Sequence, residues 1–484
     1  MKIREYRSIR SLRSAILLLV NEGNFDRALR LIHDCVERII IEPLCTSQVF
    51  ASRKLDDLCQ YIGSANLAEI KRENIDESIR QQKAPVFAYI VTKLYNSGGH
   101  TRVIEDFIKA RPRILHIILS TEIDGKSDIT YLMKGVAKQG NVVFDRAPKV
   151  NYQQRLSWLQ KRLIEIHPQK TFLFNHHQDS VAVAAIQPEM GLDASFYHHG
   201  DHHLCLGACV PHLEHIDPHP MGYYNCRNVL GIENVYIPLT VIDKGERPAN
   251  LPFFRDGILT TCTAARSNKI EIPYFANYLE IVPRLLKSSG GKHIHIGRLT
   301  PWALLKLRKG LKRHGVRPEK FIYTPWVPSV WRALHSYHVD LYIASFPYGG
   351  GLTLIEAMGA GVPVALHKHL FSRVLSGIDL AYPGAFSWRS PDELFDFCSN
   401  LTSEYLEKSS CSARRQYLKF HRQEILEDLL NGSGQSILTP VDMREDFTPE
   451  TDEWAFWMEK QVSFERVIRR SIYRIVRGIR ANLF

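Results

Sequence analysis

The sequence is short of the features that announce a class at once. Near its start the longest apolar run, Ala15 to Val20, falls far short of the roughly 20 residues that cross a bilayer. No small-residue cleavage site follows it, so neither a membrane span nor a secretory leader is expected there. Cysteine is scarce and unpatterned: nine residues in 484, an odd number, with no Cys-x-x-Cys pair. That excludes a disulfide scaffold and points to a reducing, cytoplasmic setting. The chain has no Walker loop and no Gly-x-Gly-x-x-Gly, which excludes the common mononucleotide and dinucleotide fingerprints. It also has no His-Glu-x-x-His and no Asp-x-Asp. An apolar fraction of 45% and a charged fraction of 23% exclude a disordered, collagen-like or coiled-coil chain. They fit two or three globular domains at roughly 150 residues each.

The formal net charge is +11, but it is unevenly placed. Residues 1–14 carry a net +4 and residues 460–484 a net +6, which leaves +1 for the body between them. A nucleic-acid protein spreads basic residues along its working surface, so nucleic acid is not the expected partner. Within 460–484, Phe464, Val467, Ile468, Ile472, Ile475, Val476, Ile479 and Leu483 recur at helical steps between arginines. Such a helix can lie on an anionic membrane surface, which would make the protein peripheral on an inner membrane. It can equally pack on the protein's own body.

Residues 1–80 read as an all-α region, with a helix–turn–helix hairpin around Gly23-Asn24 like a single tetratricopeptide-type unit without a second copy. From Pro85 the texture changes to short apolar runs alternating with helical stretches. The runs are Val86–Val91, Ile114–Leu119, Asn141–Phe144, Thr171–Asn175 and Ala194–His198. After a Pro/Gly/charge-rich link, roughly Pro238–Pro252, a second series follows. It comprises Gly257–Thr263, Lys292–Ile296, Lys320–Tyr323, Asp340–Ala344, Val362–Leu366 and Ala385–Trp388. Alternation of this kind predicts an α/β protein with two Rossmann-like, doubly wound domains, at 81–245 and 250–430, and a tail at 431–484. Ligands of such sheets bind at the carboxyl ends of the strands, in a cleft expected between the two halves.

The most informative segment runs from Asp340 to Val364 and contains Phe346-Pro-Tyr-Gly-Gly-Gly-Leu-Thr-Leu-Ile-Glu-Ala-Met-Gly359. It predicts a buried strand, a turn at Gly349, Gly350 and Gly351, a helix beginning near Leu352, and a further strand. Glycines let a ligand approach the backbone, and the free N–H groups of a helix start favour an anion. Thr353 adds a hydroxyl donor, and Glu356 can accept hydrogen bonds from ribose hydroxyls. A site offering both suits a nucleoside diphosphate.

This segment resembles the donor-binding signature of GT-B glycosyltransferases, and its Phe-Pro-Tyr-Gly-Gly part is similar to that of the O-GlcNAc transferase group and related bacterial cytoplasmic N-glycosyltransferases. Cys262-Thr-Ala-Ala-Arg-Ser-Asn-Lys-Ile270 resembles a second motif of that group. The resemblance implies that Lys269 sits on the donor phosphates, with Ser267 and Arg266 beside it. It further implies a nucleotide-sugar donor as co-substrate, no cofactor and no metal, since the Asp-x-Asp of GT-A enzymes is missing. The Asn96-Ser-Gly-Gly-His-Thr-Arg102 loop resembles the Gly-Gly loop of GT-B enzymes, with Gly98 and Gly99 open to donor or acceptor and His100 or Thr101 near the sugar.

Nine of the 21 histidines lie between positions 176 and 219. Their spacing gives no defined tetrahedral metal set. A catalytic use is the expectation: His199, Asp201 and His202 are the candidates for the general base that takes the acceptor's proton. The expected acceptor is a surface or lipid-linked glycan, or a protein side chain. A nucleotide-sugar epimerase of the same fold, or a sugar-nucleotide-binding scaffold without turnover, are the competing readings.

Overall fold

A computed structural model describes residues 9–40, 49–72, 85–96, 98–136, 141–272, 274–431, 438–441, 450, 452, 455 and 456. The basic stripe foreseen in 460–484 lies outside them. Among the described residues no helix is long and apolar enough to cross a membrane. The chain divides into two compact units, the first running to Ile237 and regaining Glu427–Pro440, the second starting at Pro238 and running to Leu426.

The first unit opens with three helices, α1 (Ile9–Asn21), α2 (Phe25–Ile40) and α3 (Arg53–Arg72). Phe25, Leu29, Ile32 and Val36 recur on one face of α2 and are all buried, as three- and four-residue spacing requires. Gly23, at φ 72°, makes the turn between α1 and α2. Seven strands follow: β1 (Val86–Val91), β2 (Leu115–Ser120), β3 (Val142–Arg146), β4 (Lys170–Phe174), β5 (Ala194–Tyr197), β6 (Glu214–Asp217) and β7 (Asn234–Tyr236). Their crossovers include α4 (Gly99–Lys109), α5 (Thr130–Val136), α6 (Tyr152–Ile166), α7 (Ser180–Ala185) and α8 (Pro220–Asn228). The sheet is parallel throughout, in the order β3-β2-β1-β4-β5-β6-β7.

The helical segment is built into this unit rather than set apart from it. Ile16, Leu29, Leu58 and Ile62 share one apolar core with Leu159, Ala184 and Phe196. Helix α3 meets α7 so closely that a Cβ at Gly63 would lie 1.9 Å from Ala184 O. The buried Asp56 carboxylate of α3 accepts the backbone N–H groups of Gly207 and Cys209, both at 2.8 Å. The N-terminal helices therefore hold the histidine-rich loop after β5.

The second unit has six parallel strands: β8 (Thr260–Ala264), β9 (Lys292–Ile296), β10 (Phe321–Thr324), β11 (Leu341–Ile343), β12 (Val364–His367) and β13 (Phe386–Trp388). They lie in the order β10-β9-β8-β11-β12-β13. The helices are α9 (Ser267–Ile270), α10 (Tyr278–Ser289), α11 (Pro301–Arg313), α12 (Val330–Ser336), α13 (Gly351–Gly359), α14 (Arg373–Ser376), α15 (Pro391–Ser399) and α16 (Ser403–Phe420). Trp331 of α12 is fully buried against α13, its indole N–H donating to Gly245 O at 2.8 Å. The last described helix, α17 (Gln423–Asn431), leads back to the first unit, where Arg111 Nη1 bonds to Asn431 Oδ1.

All eleven apolar runs read from the sequence are strands, two with the same ends and the others shifted by up to three residues. Two strands, β6 and β7, went unforeseen. Glu-His-Ile-Asp and Asn-Val-Tyr carry too few apolar residues to read as buried strands.

Two substitutions test this packing. A Cβ at Gly359 would lie 2.1 Å from Trp331 Cζ3, so Gly359→Ala should lower unfolding stability by about 1–3 kcal/mol through overpacking. Asp56→Ala strips two buried N–H groups of their acceptor and should cost about 1–3 kcal/mol for each. Urea denaturation of the purified variants measures both, and unchanged midpoints would contradict the packing described.

Candidate functional site

In each sheet the strand order reverses once, between β1 and β4 in the first and between β8 and β11 in the second. At such a reversal the two adjoining crossovers depart to opposite faces and leave a crevice beyond the strand carboxyl ends. The sequence motifs fall at these two points.

In the second unit, β8 runs into the one-turn α9 that carries Ser267 and Lys269, and β11 runs into the glycine turn and α13. The two loops are tied together. Lys269 Nζ donates to Gly349 O at 2.7 Å, and Tyr348 N–H donates to Lys269 O at 3.3 Å. Gly349 N–H bonds to Leu375 O at 3.2 Å, and a Cβ there would approach that oxygen to 2.6 Å, so only glycine fits. A Cβ at Gly350 would meet Thr353 Oγ1 at 2.7 Å and Lys269 Nζ at 3.3 Å.

Helix α13 begins at Gly351, with Gly350 as its N-cap and no side chain capping it. The N–H groups of Gly351, Leu352 and Thr353 start a helix and have no intrahelical acceptor, while the helix dipole adds positive potential. Thr353 Oγ1 donates to Gly350 O at 3.1 Å. Its hydroxyl proton therefore braces the turn, where the sequence had suggested a donor for the ligand. Burial pushes the Lys269 ammonium down to about 8, so this lysine is near its titration point and would be held charged by a neighbouring phosphate.

Glu356, one turn into α13, forms an ion pair with Lys244 (3.1 Å), whose Nζ also donates to Ser329 Oγ at 2.9 Å. Lys244 belongs to the charged link that the sequence marked only as a domain break. Its ammonium balances the Glu356 charge one turn into α13.

In the first unit the carboxyl ends of β1, β4 and β5 bring the histidines together. Gly98 and Gly99 start α4, and the space over Gly98 is open, with no atom within 4 Å of where a Cβ would stand. His100, next along, stacks on His199 at a centroid distance of 4.4 Å and an interplanar angle of 27°. Its Nε2 lies 3.0 Å from Phe174 O, which fixes the proton there. His177 meets His202 edge-on at 5.1 Å. Burial, with His176 adding to it, lowers His100 to about 3, and burial together with His100 holds His199 well below the ordinary imidazole value. Both rings are uncharged at neutral pH and keep a lone pair on one nitrogen, and burial makes them weaker bases than an ordinary imidazole.

Asp201 is not bonded to His199. Its Oδ2 pairs with His219 Nδ1 at 2.7 Å, and its Oδ1 lies 3.7 Å from His202 Nδ1. Burial opposes its charge, but His219 and His202 outweigh burial and hold the carboxylate below the usual range. Buried between two imidazoles, the carboxylate is placed to orient His219 and His202. The sequence reading missed His219 because it lies 18 residues away, beyond β6.

A separate cavity of about 410 Å³ opens at the other, amino-terminal end of β4 to β6, with Phe87, Phe172, Ile216 and Tyr236 among its lining residues. Its rim charges are spent on each other, Lys170 pairing with Asp193 at 2.8 Å and Glu214 at 3.1 Å.

No protein-family model matches this sequence, and no curated protein matches it. Solved structures do. The lipopolysaccharide outer core galactosyltransferase WaaB superposes with a TM-score of 0.54 at 14% identity, covering 72% of this chain and all of that one. A glycosyltransferase from Rickettsia africae gives 0.55 at 12%, covering 73% of this chain and 98% of the other. Alr3699/HepE of Anabaena, in complex with UDP and glucose, gives 0.52 at 11%, covering 72% and 99%. With two parallel, helix-flanked sheets of seven and six strands, this protein has the two-domain GT-B fold that those glycosyltransferases share.

Proposed function

We propose that the protein is a glycosyltransferase that takes its sugar from a nucleoside diphosphate sugar bound in the second unit. The observation that carries this reading is the uncapped start of α13 behind Gly349-Gly350, with Lys269 Nζ beside it. Three backbone N–H groups, a helix dipole and an ammonium are together the chemistry that a diphosphate calls for. As the glycosidic bond to the diphosphate breaks, negative charge grows on the leaving oxygen, and these same groups stabilise it. The Glu356 carboxylate, balanced by Lys244, accepts from the ribose hydroxyls. A uridine diphosphate sugar is the first donor to try, because the Anabaena protein of this fold holds UDP and glucose.

In the first unit His199 serves as the base. Its uncharged ring takes the proton of an acceptor hydroxyl or amide as that group attacks the anomeric carbon. Asp201 acts through His219 and is a positioning residue. The acceptor is a glycan, a lipid-linked glycan or a protein side chain.

The donor assignment is tested by thermal stabilisation with a panel of sugar nucleotides. A cognate donor at 100 times its Kd should add about 2.7 kcal/mol, and Lys269→Ala should weaken that donor at least about tenfold, the scale of one charge-assisted contact. Undiminished donor affinity in Lys269→Ala would overturn the assignment. A pH series adds the sign. The charged lysine binds the diphosphate, and the free protein loses that charge above about 8, so donor affinity should fall as pH rises past 8 in the wild type. In Lys269→Ala this limb should be absent.

Turnover tests the base separately. His199→Ala should lower kcat by about 10²–10⁴ with donor affinity unchanged. If kcat is maintained, the proton is taken elsewhere.

A further inference from the structure

The carboxyl ends of β5 and β6 hold a second group of side chains, which sugar transfer does not use. His215 and Asp217, two residues apart on β6, share one face of the sheet. His198 follows β5 directly, its N–H bonded to Ile216 O at 2.8 Å, and so lies beside Asp217. Helix α8 covers this face and brings Cys226 to the same point. All four residues are buried, none more than 3% exposed.

Their donor atoms converge. His198 Nδ1 is 3.1 Å from Asp217 Oδ1, and Cys226 Sγ is 3.4 Å from that nitrogen and 3.6 Å from that oxygen. His215 Nε2 is 3.2 Å from Asp217 Oδ2, and one donor atom from each of the four residues lies within 4.8 Å of the others. A tetrahedral zinc ion, with bonds of about 2.0–2.3 Å, sets its ligand atoms about 3.3–3.8 Å apart.

Hydrogen bonding of a neutral His215 leaves its inner nitrogen facing a carboxylate. His215 Nδ1 lies 3.2 Å from Ala208 O, an acceptor that only an N–H can satisfy. The lone pair of a neutral His215 is then on Nε2, which is buried, has no hydrogen-bond partner among the described residues, and faces the Asp217 carboxylate. Two electron-rich atoms so placed repel each other unless a cation lies between them, either a proton on Nε2 or a metal ion. The bond from Nδ1 to a backbone carbonyl is the outer contact that orients metal-binding histidines. Asn234 Nδ2 likewise donates to Asp217 Oδ2 at 2.7 Å and orients the carboxylate.

We infer that His198, His215, Asp217 and Cys226 form a structural transition-metal site of the zinc type, which pins β5, β6 and α8 together. Two imidazoles, a thiolate and a carboxylate suit zinc, whereas calcium and magnesium require oxygen ligands. Four protein donors under full burial leave no position for water or substrate, so the ion's part is structural. The site adjoins the proposed base. His198 precedes His199 in the chain, and a Cβ at Gly222 of α8 would lie 2.9 Å from Asp201 Oδ2 and 3.0 Å from Asp217 Oδ1. The first turn of α8 thus sits against both carboxylates. The inference is independent of sugar transfer.

Metal analysis of the full chain, purified without chelator, should find about one zinc per molecule. Removing it with a chelator should lower Tm, and added Zn²⁺ should restore it. Refilling with Co²⁺ should give a sulfur-to-cobalt charge-transfer band together with intense tetrahedral visible bands. The charge-transfer band should vanish in Cys226→Ser, which separates this site from the other histidines. Should that variant fail to fold, the wild-type reconstitution still decides. A folded wild-type protein that takes up neither Zn²⁺ nor Co²⁺ and melts unchanged with or without them would overturn the inference, as would a Cys226→Ser protein that retains the thiolate band.

Discussion

Every strand in both sheets runs parallel to its neighbours, and this one constraint shapes the rest. A parallel strand cannot follow its neighbour through a tight turn, so a crossover must cover a face of the sheet before the next strand begins. Both faces are then buried, and every strand delivers its carboxyl end to the same edge. Chemistry-bearing residues that follow β1, β4, β5 and β6 are gathered on one rim, and those that follow β8 and β11 on another. Neither set needs to be close in sequence.

Burial on that scale forces polar groups at the rims to find partners. Asp179 takes the hydroxyls of Thr92 and Thr121, both at 2.6 Å, and the N–H of Ala182. Asp56 reaches from the N-terminal helices to cap the loop after β5. The Asp56 contacts give the helical segment a definite task, which is to fix the loop that follows β5. The donor loop uses the opposite device. Gly350, the N-cap of α13, has no side chain, so the first N–H groups of the helix are left without a cap.

The fold was largely legible because the signals that specify it are local. A buried parallel strand needs a short unbroken apolar run, and runs such as Val86–Val91 and Lys292–Ile296 became strands with those same ends. The glycine turn was legible for a similar reason, since turn, helix start and following strand are contiguous. The partners of the named residues were not. Lys244 meets Glu356 across 112 residues, and His219 meets Asp201 from beyond an unforeseen strand.

The sequence by itself determined two doubly wound halves and the loop carrying Gly349 to Glu356. Hydrophobic periodicity and backbone chemistry act between near neighbours, so they can be read along the chain. Only the tertiary structure decided which histidines share a site. His198, His215, Asp217 and Cys226 show no ligand spacing in the sequence, because β5, β6 and α8 bring them together through register and crossover. Proximity of that kind is set by which strands pair, and pairing is a property of the folded sheet.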